Sequence, residues 1–221
     1  MFNTIAGRYD FLNRLLSFGF DVNWRHQAIQ FLRKKRPAQI LDIATGTGDF
    51  AIKANSLKPE KIIGIDISEE MLKIGRDKIL KKKLEGIIEL QLGDAENLHF
   101  PDHSFDAATV AFGVRNFEDL QKGISEIYRV LKPGGAFVVL EFSKPDEFPE
   151  KQVYQLYTGI LMPFIGKLFS KDKSAYKYLP ESVKAFKEGK EFLAVMQEAG
   201  FTNLAMKRMT FGVVSIYYGE K

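Results

Sequence analysis

Asp42, Gly46, Thr47, Gly48 and Asp49 follow the apolar pair Ile40-Leu41 within a few residues. Asp66 closes a second apolar run, Ile62-Ile63-Gly64-Ile65, twenty residues beyond Gly46. Residues of these types at this spacing can bind a nucleoside. Glycines let the backbone approach a ligand, and an acid at the end of the next strand takes ribose hydroxyls.

The charges in the turn discriminate between ligands. A dinucleotide sets its pyrophosphate on the helix N-terminus, where free N–H groups and the macrodipole favour negative charge. Asp49 in that first turn would repel a phosphate. S-adenosylmethionine carries no phosphate and brings a sulfonium, an ammonium and an adenosine, which suit carboxylates. Gly46, Gly48 and Ala51 also fit the looser dinucleotide spacing, so a glycine count alone does not decide. The plain alternative is a tight strand-to-helix turn with no ligand.

These residues need a parallel sheet behind them. Short apolar strands alternate with amphipathic helices after residue 38, the pattern of right-handed βαβ crossovers. Strands are predicted at 39–44, 61–66, 87–92, 105–111, 136–142, 201–208 and 211–219, with helices at 48–57, 69–83, 118–131 and 188–199. Ser68 reads as the N-cap of the second of these helices, and Lys132-Pro133-Gly134-Gly135 as the stop of the third. Only Met209-Thr210 separates the last two strands, which predicts an antiparallel hairpin at a sheet edge. The expected fold is therefore α/β and Rossmann-like: a mostly parallel seven-stranded sheet with helices on both faces and an antiparallel C-terminal hairpin.

At 221 residues and 45% hydrophobic, the chain suits a single domain, 1–221, with a full core. A helical, aromatic-rich segment precedes the first strand at 1–37. Residues 148–187 are too long for an ordinary connection and read as a lid over the substrate, or as a satellite helix pair. The chain has no cysteine, which excludes thiolate chemistry and fits a cytoplasmic location. His26, His99 and His103 lack metal-ligand spacing, so no metal site is expected. No apolar run reaches the ~18 residues of a membrane span. The net charge of +4 is modest, with Arg76, Lys78 and Lys81-Lys82-Lys83 gathered at one helix end.

Several separated motifs carry a resemblance. They are Met1-Phe2-Asn3-Thr4-Ile5-Ala6 through Tyr9-Asp10-Phe11-Leu12-Asn13, Leu16-Ser17-Phe18-Gly19 with Trp24-Arg25, and Asp42 to Asp49. Asp66-Ile67-Ser68 with Met71-Leu72 follows, then Ala111-Phe112-Gly113-Val114-Arg115-Asn116 and Arg129-Val130-Leu131-Lys132-Pro133-Gly134-Gly135. Glu141-Phe142-Ser143-Lys144-Pro145 and Tyr178-Leu179-Pro180-Glu181-Ser182-Val183 with Phe186 complete the set. The chain resembles the class I S-adenosylmethionine-dependent methyltransferases. More narrowly it is similar to the demethylmenaquinone and ubiquinone-precursor C-methyltransferases of quinone biosynthesis. The glycine turn and the Lys-Pro-Gly-Gly turn recur across the class, whereas the Phe-Gly-x-Arg-Asn and Glu-Phe-Ser-Lys-Pro blocks are much narrower. Members of that family usually carry further residues ahead of Met1, a leader that would help close the pocket or touch the membrane.

The resemblance implies S-adenosylmethionine as cofactor. It puts Gly46, Thr47 and Gly48 at the methionine part, Asp42 at its ammonium, Asp66 on the ribose hydroxyls, and Asp94 and Ala95 on adenine. Ile67, Met71 and Ala111 join them as cofactor-binding residues. For Asp94 an ordinary helix N-cap is the alternative. The implied reaction is C-methylation of reduced demethylmenaquinone, a prenylated naphthoquinol, to menaquinol. The quinol form matters, because an oxidised ring is too electron-poor to attack a methyl group. A phenol titrates near ~10, so the site must stabilise the phenolate or supply a base. Arg115 is the candidate for holding the phenolate, worth about 3 kcal/mol, with Asn116 orienting it. An ion pair from Arg115 to Asp119 or Glu118 is the structural alternative. Tyr9, His26 and Tyr178 are candidate bases. Tyr154, Tyr157, Phe164, Phe169, Tyr176 and Tyr178 are candidate walls for the ring.

A prenylated substrate lives in a bilayer, so the partners expected are that quinol and a membrane surface met peripherally, with Lys167, Lys171, Lys173 and Lys177 worth about 1 kcal/mol each near anionic lipid. Other acceptors stay open: a ubiquinone-precursor benzoquinol, another small molecule, or RNA. A non-catalytic carrier of quinone or cofactor is a further alternative. Against RNA stand the lack of a continuous basic stripe and of an Asn-Pro-Pro-Tyr-type loop, so no nucleic-acid partner is expected. A homodimer is left open.

Overall fold

The computed structural model describes Arg14, residues 17–145, Gln152 and residues 181–221. Most of the 148–187 insertion therefore lies outside the described residues. So do Tyr9, the aromatic candidates from Tyr154 to Tyr178, and the lysines at 167–177.

Seven strands form one sheet: β1 (Gln39–Ile43), β2 (Lys61–Asp66), β3 (Ile88–Leu92), β4 (Phe105–Ala111), β5 (Leu131–Phe142), β6 (Thr202–Met209) and β7 (Val214–Glu220). Their order is β3-β2-β1-β4-β5-β7-β6. β1 pairs in parallel with both β2 and β4, and β7 pairs antiparallel with both β5 and β6. The expected hairpin is present with β6 at the edge, and its second strand slots in between β5 and the first. The chain order reverses between β1 and β4, which opens a crevice beyond their carboxyl ends.

Alternating residues of each buried strand face opposite sides and gather two cores. Ile40, Ile62, Ala107 and Val138 meet helices α1 (Phe20–Gln30), α2 (Asp49–Ala54) and α3 (Glu69–Lys81). Leu41, Ile43, Val110 and Val139 meet α4 (Leu120–Val130) and α5 (Lys190–Glu198). Ser68 caps α3, accepting from the Met71 N–H at 3.4 Å, and Asp119 caps α4 by accepting from the Lys122 N–H at 3.0 Å.

Lys132-Pro133-Gly134-Gly135 does stop a helix, but it also lies within β5 as a bulge. Leu131 faces Phe105, and the next aligned pair is Ala136 with Ala107. Gly134 adopts φ +77, and its N–H donates to the Lys221 carbonyl at 2.8 Å. The bulge thus locks the C-terminus against the sheet.

α1 lies in the N-terminal segment, of which Arg14 and residues 17–37 are described. Its buried residues Asp21, Trp24, Arg25, Ala28 and Ile29 form a single helical stripe. Trp24 anchors it: the indole N–H donates to Thr210 Oγ1 at 2.7 Å, and the ring meets Phe112 and Phe142 edge-on.

Gly75 brings α3 close to the glycine turn. A Cβ there would lie 2.5 Å from Leu90 Cδ1 and 3.1 Å from the Thr47 backbone carbon. Alanine would favour the helix by about 1 kcal/mol, but the Thr47 backbone cannot yield as a side-chain end can. Gly75→Ala should therefore lose about 1–2 kcal/mol net. Urea denaturation measures it, and a variant more stable than the parent would show that the turn gives way.

Candidate functional site

Every strand that reaches the crevice does so with its carboxyl end or the loop that follows it. Ala44 and Gly46 follow β1, Asp66 and Ile67 close β2, Gly93 to Glu96 follow β3, and Ala111 to Gly113 close β4. Together with Met71 and Asn116 they line one cavity. A smaller adjoining cavity shares Ala44, Gly46, Ala111 and Phe112 with it, and adds Arg25, Asp42, Thr45 and Thr47.

The residues singled out by sequence are distributed as follows. Gly46, Asp66, Ile67, Met71, Asp94, Ala95, Ala111 and Asn116 border the main cavity. Asp42 and Thr47 border the adjoining one. Gly48 borders neither: it takes φ +78 as the N-terminal residue flanking α2, a conformation that glycine adopts freely. Arg115 also borders neither and lines a separate groove with Val114, Phe117 and Phe186.

Asp66 holds the turn to the second strand. One carboxylate oxygen accepts from the Gly46 N–H at 2.8 Å and the other from the Ser68 N–H at 2.9 Å. Each oxygen keeps a lone pair for a vicinal diol. Desolvation raises its pKa against these bonds.

Asp42 is fully buried at the end of β1. Thr45 and Thr109 hydroxyls donate to its two oxygens at 2.6 Å each. Burial nonetheless pushes its carboxyl up to about 6, against the opposing pull of those hydrogen bonds and the Arg25 charge.

Asp49 is not the open carboxylate that the sequence suggested. Lys78 reaches from α3 to within 2.8 Å of it and donates to Thr47 Oγ1 at 2.9 Å. The case against a phosphate ligand therefore rests on Asp42, since an acid at the place of Asp66 binds ribose in dinucleotide sites as well. Asp94 caps no helix; its Oδ1 accepts from the Glu96 N–H at 2.9 Å within a tight turn. Glu96 in turn accepts from the N–H groups of Glu118 and Asp119 at 2.7 and 3.0 Å, tying the loop after β3 to the loop after β4.

Arg115 has a partner other than the two expected. Its Nη1 meets Glu141 Oε1 at 2.8 Å, with the two side chains 6% and 0% exposed. It also donates to the Phe112 carbonyl, and its Nε lies 3.3 Å from Ser182 Oγ. Removing one member of a buried ion pair costs about 3–5 kcal/mol, so an alanine at Arg115 reports on folding before it reports on chemistry. His26 is exposed on α1, and His99 and His103 lie in the loop before β4. No group of acidic and histidine side chains that could hold a metal ion occurs among the described residues.

Sequence reasoning missed Arg25, Phe112, Gly113 and Phe117 as site residues. Ala44 and Phe112, both non-glycine, take φ of +51 and +58 at the ends of β1 and β4. Gly113 packs so closely on Ala44 that an added Cβ would lie 2.5 Å from the Ala44 Cβ. Such paired backbone strain marks a built site, and no sequence pattern announces it.

The fold is that of S-adenosylmethionine-dependent methyltransferases. A methyltransferase of that kind from Thermotoga maritima superposes with a TM-score of 0.68 at 23% identity, covering 100% of both chains. A Haemonchus contortus phosphoethanolamine N-methyltransferase, solved with S-adenosylmethionine, gives 0.61 at 17% identity, covering 83% of this chain and 48% of that one. The chain itself belongs to the ubiE/COQ5 methyltransferase family, which it matches over residues 1–221. It is 51% identical to a Bacteroides fragilis demethylmenaquinone methyltransferase, over 100% of this chain and 91% of the relative. It is 46% identical to the Thermus thermophilus protein of the same name over 100% of both. A Geobacter sulfurreducens ubiquinone/menaquinone biosynthesis C-methyltransferase is 47% identical, over 100% of this chain and 87% of that one.

Asp42 yields a stability test. Its folded value of about 6 lies above the ordinary 3.8, so the folded state holds the proton longer than the unfolded chain does. Ionisation therefore costs stability progressively from about pH 4 to pH 6, and the cost is complete above that window. Asp42→Asn should be more stable than the parent by about 1–3 kcal/mol at pH 7.5, with the gain shrinking toward pH 4. Denaturant titrations at both pH values check this; a gain that does not change with pH would refute it.

Proposed function

We propose that this protein is an S-adenosylmethionine-dependent C-methyltransferase that converts reduced demethylmenaquinone, a prenylated naphthoquinol, to menaquinol. The observation that carries the cofactor assignment is Asp66, which presents both carboxylate oxygens to a cavity at the switch point of the sheet. Support for the acceptor comes from the names of relatives matched over 91% and 100% of their length. The Geobacter relative's broader name keeps a benzoquinol precursor of ubiquinone as the second reading.

The residues fit the cofactor's chemistry. Asp66 would take the ribose hydroxyls, and Asp94 with the Ala95 N–H would take adenine between Ile67 and Met71. Gly46, Thr47, Gly48 and Ala111 would surround the methionine part, with Asp42 at the ammonium. When bound, S-adenosylmethionine supplies an electrophilic methyl group on a sulfonium. Asn116 borders that cavity and would orient the quinol. Arg115 would stabilise the developing phenolate once a quinol oxygen replaces Ser182 Oγ, the longest of its guanidinium hydrogen bonds at 3.3 Å. Glu141 holds the guanidinium in place meanwhile. Position and charge stabilisation are then the protein's main contributions.

Methyl transfer from labelled S-adenosylmethionine to reduced demethylmenaquinone, run beside the reduced ubiquinone precursor, tests this reading. Label is expected in the naphthoquinol. Label confined to the benzoquinol would select the second reading, and transfer to neither would refute both. Asn116→Ala should lower turnover about a hundredfold while changing cofactor affinity less than twofold.

We also propose peripheral contact with a membrane, where a prenylated substrate resides. No helix among the described residues is long and apolar enough to cross one. Phe20, 50% exposed, stacks on Trp24, which bonds Thr210 beside Phe211, 78% exposed. The protein should sediment with anionic vesicles at low salt; none in the pellet would remove this contact.

A further inference from the structure

The core-facing stripe of α1 holds two charged residues, Asp21 and Arg25, both under 10% exposed. Charges are rarely placed on such a stripe, because desolvating them is costly unless they are paired and fully bonded. Asp21 is accounted for: one oxygen accepts from Ser17 Oγ at 3.0 Å and the other from Arg25 Nη1 at 2.5 Å. Arg25 is not. Its Nε is the one buried side-chain nitrogen or oxygen among the described residues with no hydrogen-bond partner.

Arg25 borders the cavity that is also lined by Asp42, Thr45, Thr47 and Asp49, the last of these neutralised by Lys78 at 2.8 Å. The guanidinium carbon lies 5.8 Å from the centroid of the Phe112 ring, on a wall shared with the main cavity. A fixed cation with an unused donor therefore shares one small cavity with a buried carboxylate. An α-amino acid carries complementary charges, an ammonium for the acid and a carboxylate for the fork of a guanidinium. The charge sum agrees. Asp21, Arg25, an ionised Asp42 and the Asp49–Lys78 pair together carry −1, whereas S-adenosylmethionine, with sulfonium, ammonium and carboxylate, carries +1.

We propose that Arg25 is a cofactor-binding residue: its guanidinium receives the α-carboxylate of the methionine tail of S-adenosylmethionine, opposite Asp42. This rests on the cofactor placement proposed above. Asp21 is the positioning residue, since its bond to Nη1 fixes the rotamer of Arg25 and leaves Nε without a protein partner. The N-terminal helix thereby becomes a wall of the cofactor site, held over the sheet by Trp24.

The test compares three ligands by titration calorimetry on the full chain: S-adenosylmethionine, its decarboxylated form, and methylthioadenosine, which lacks the amino-acid tail. The parent should bind the decarboxylated form about ten- to a hundredfold more weakly than S-adenosylmethionine, the worth of a charge-assisted bond. Arg25→Gln should abolish that preference and leave methylthioadenosine affinity unchanged. Should Arg25→Gln fail to fold, Arg25→Lys keeps a cation against Asp21 and should shrink the preference, because an ammonium cannot fork. Equal binding of the first two ligands by the parent, or a preference undiminished in the variants, would overturn the inference. Asp66→Asn separates the two levels. If methylthioadenosine binds that variant as well as it binds the parent, the cofactor placement itself is wrong.

Discussion

A single buried carboxylate organises much of this protein. Asp42 is fully enclosed at the end of the central strand β1, and burial pushes its carboxyl up to about 6. Such a group must be fully bonded, and the surrounding structure provides for it. Thr109 on β4 and Thr45 in the glycine turn both donate at 2.6 Å, so β1, β4 and the turn are fixed to one another through it. The switch point of the sheet is therefore also its most polar interior point. A hydrocarbon side chain would pack there at less cost. The strain at Ala44 and Phe112, on either side of it, has the same character: local stability is given up where a ligand is to be held.

Around that point the loops are tied by carboxylates rather than by apolar packing. Asp66 joins the glycine turn to the start of α3, and Glu96 joins the loop after β3 to the N-terminus of α4. Backbone N–H groups are the donors in both cases, so only the rotamer of the accepting carboxylate has to be fixed. The cavity is thus shaped before any ligand arrives, and less ordering remains to be done on binding. Helix α4 carries its own cap at Asp119, so the Glu96 bonds position the helix rather than rescue it.

The sequence is legible where local pattern and tertiary structure coincide. Buried parallel strands read as short apolar runs, and β1 to β4 fall close to their predicted limits because each run is bounded by a turn. The Ser68 cap was equally plain. Legibility fails where partners are set by distance through the fold. That β7 enters between β5 and β6 is a matter of pairing order, which no local pattern encodes. Glu141 as the partner of Arg115 lies 26 residues away on the neighbouring strand, whereas Asp119 and Glu118 were merely near in sequence. Asp49 seemed an open charge because Lys78, its partner at 2.8 Å, comes from a different helix.

The N-terminal helix shows the limit most clearly. Trp24-Arg25 stood out as a motif, yet α1 gives almost no periodic signal, since two of the positions facing the core are Asp21 and Arg25. A pattern that fails as an amphipathic helix succeeds as one built to carry charge inward. Charges on a buried stripe weaken the helix as a structural element, so something other than stability must account for them. Asp21 alone would need only Ser17 and a solvent-facing position. Arg25 with its unpaired Nε has no structural explanation beyond that pair. Departures from periodicity that are also buried lead, in this chain, to a residue that borders the cavity beside the glycine turn, a turn that many unrelated α/β folds share.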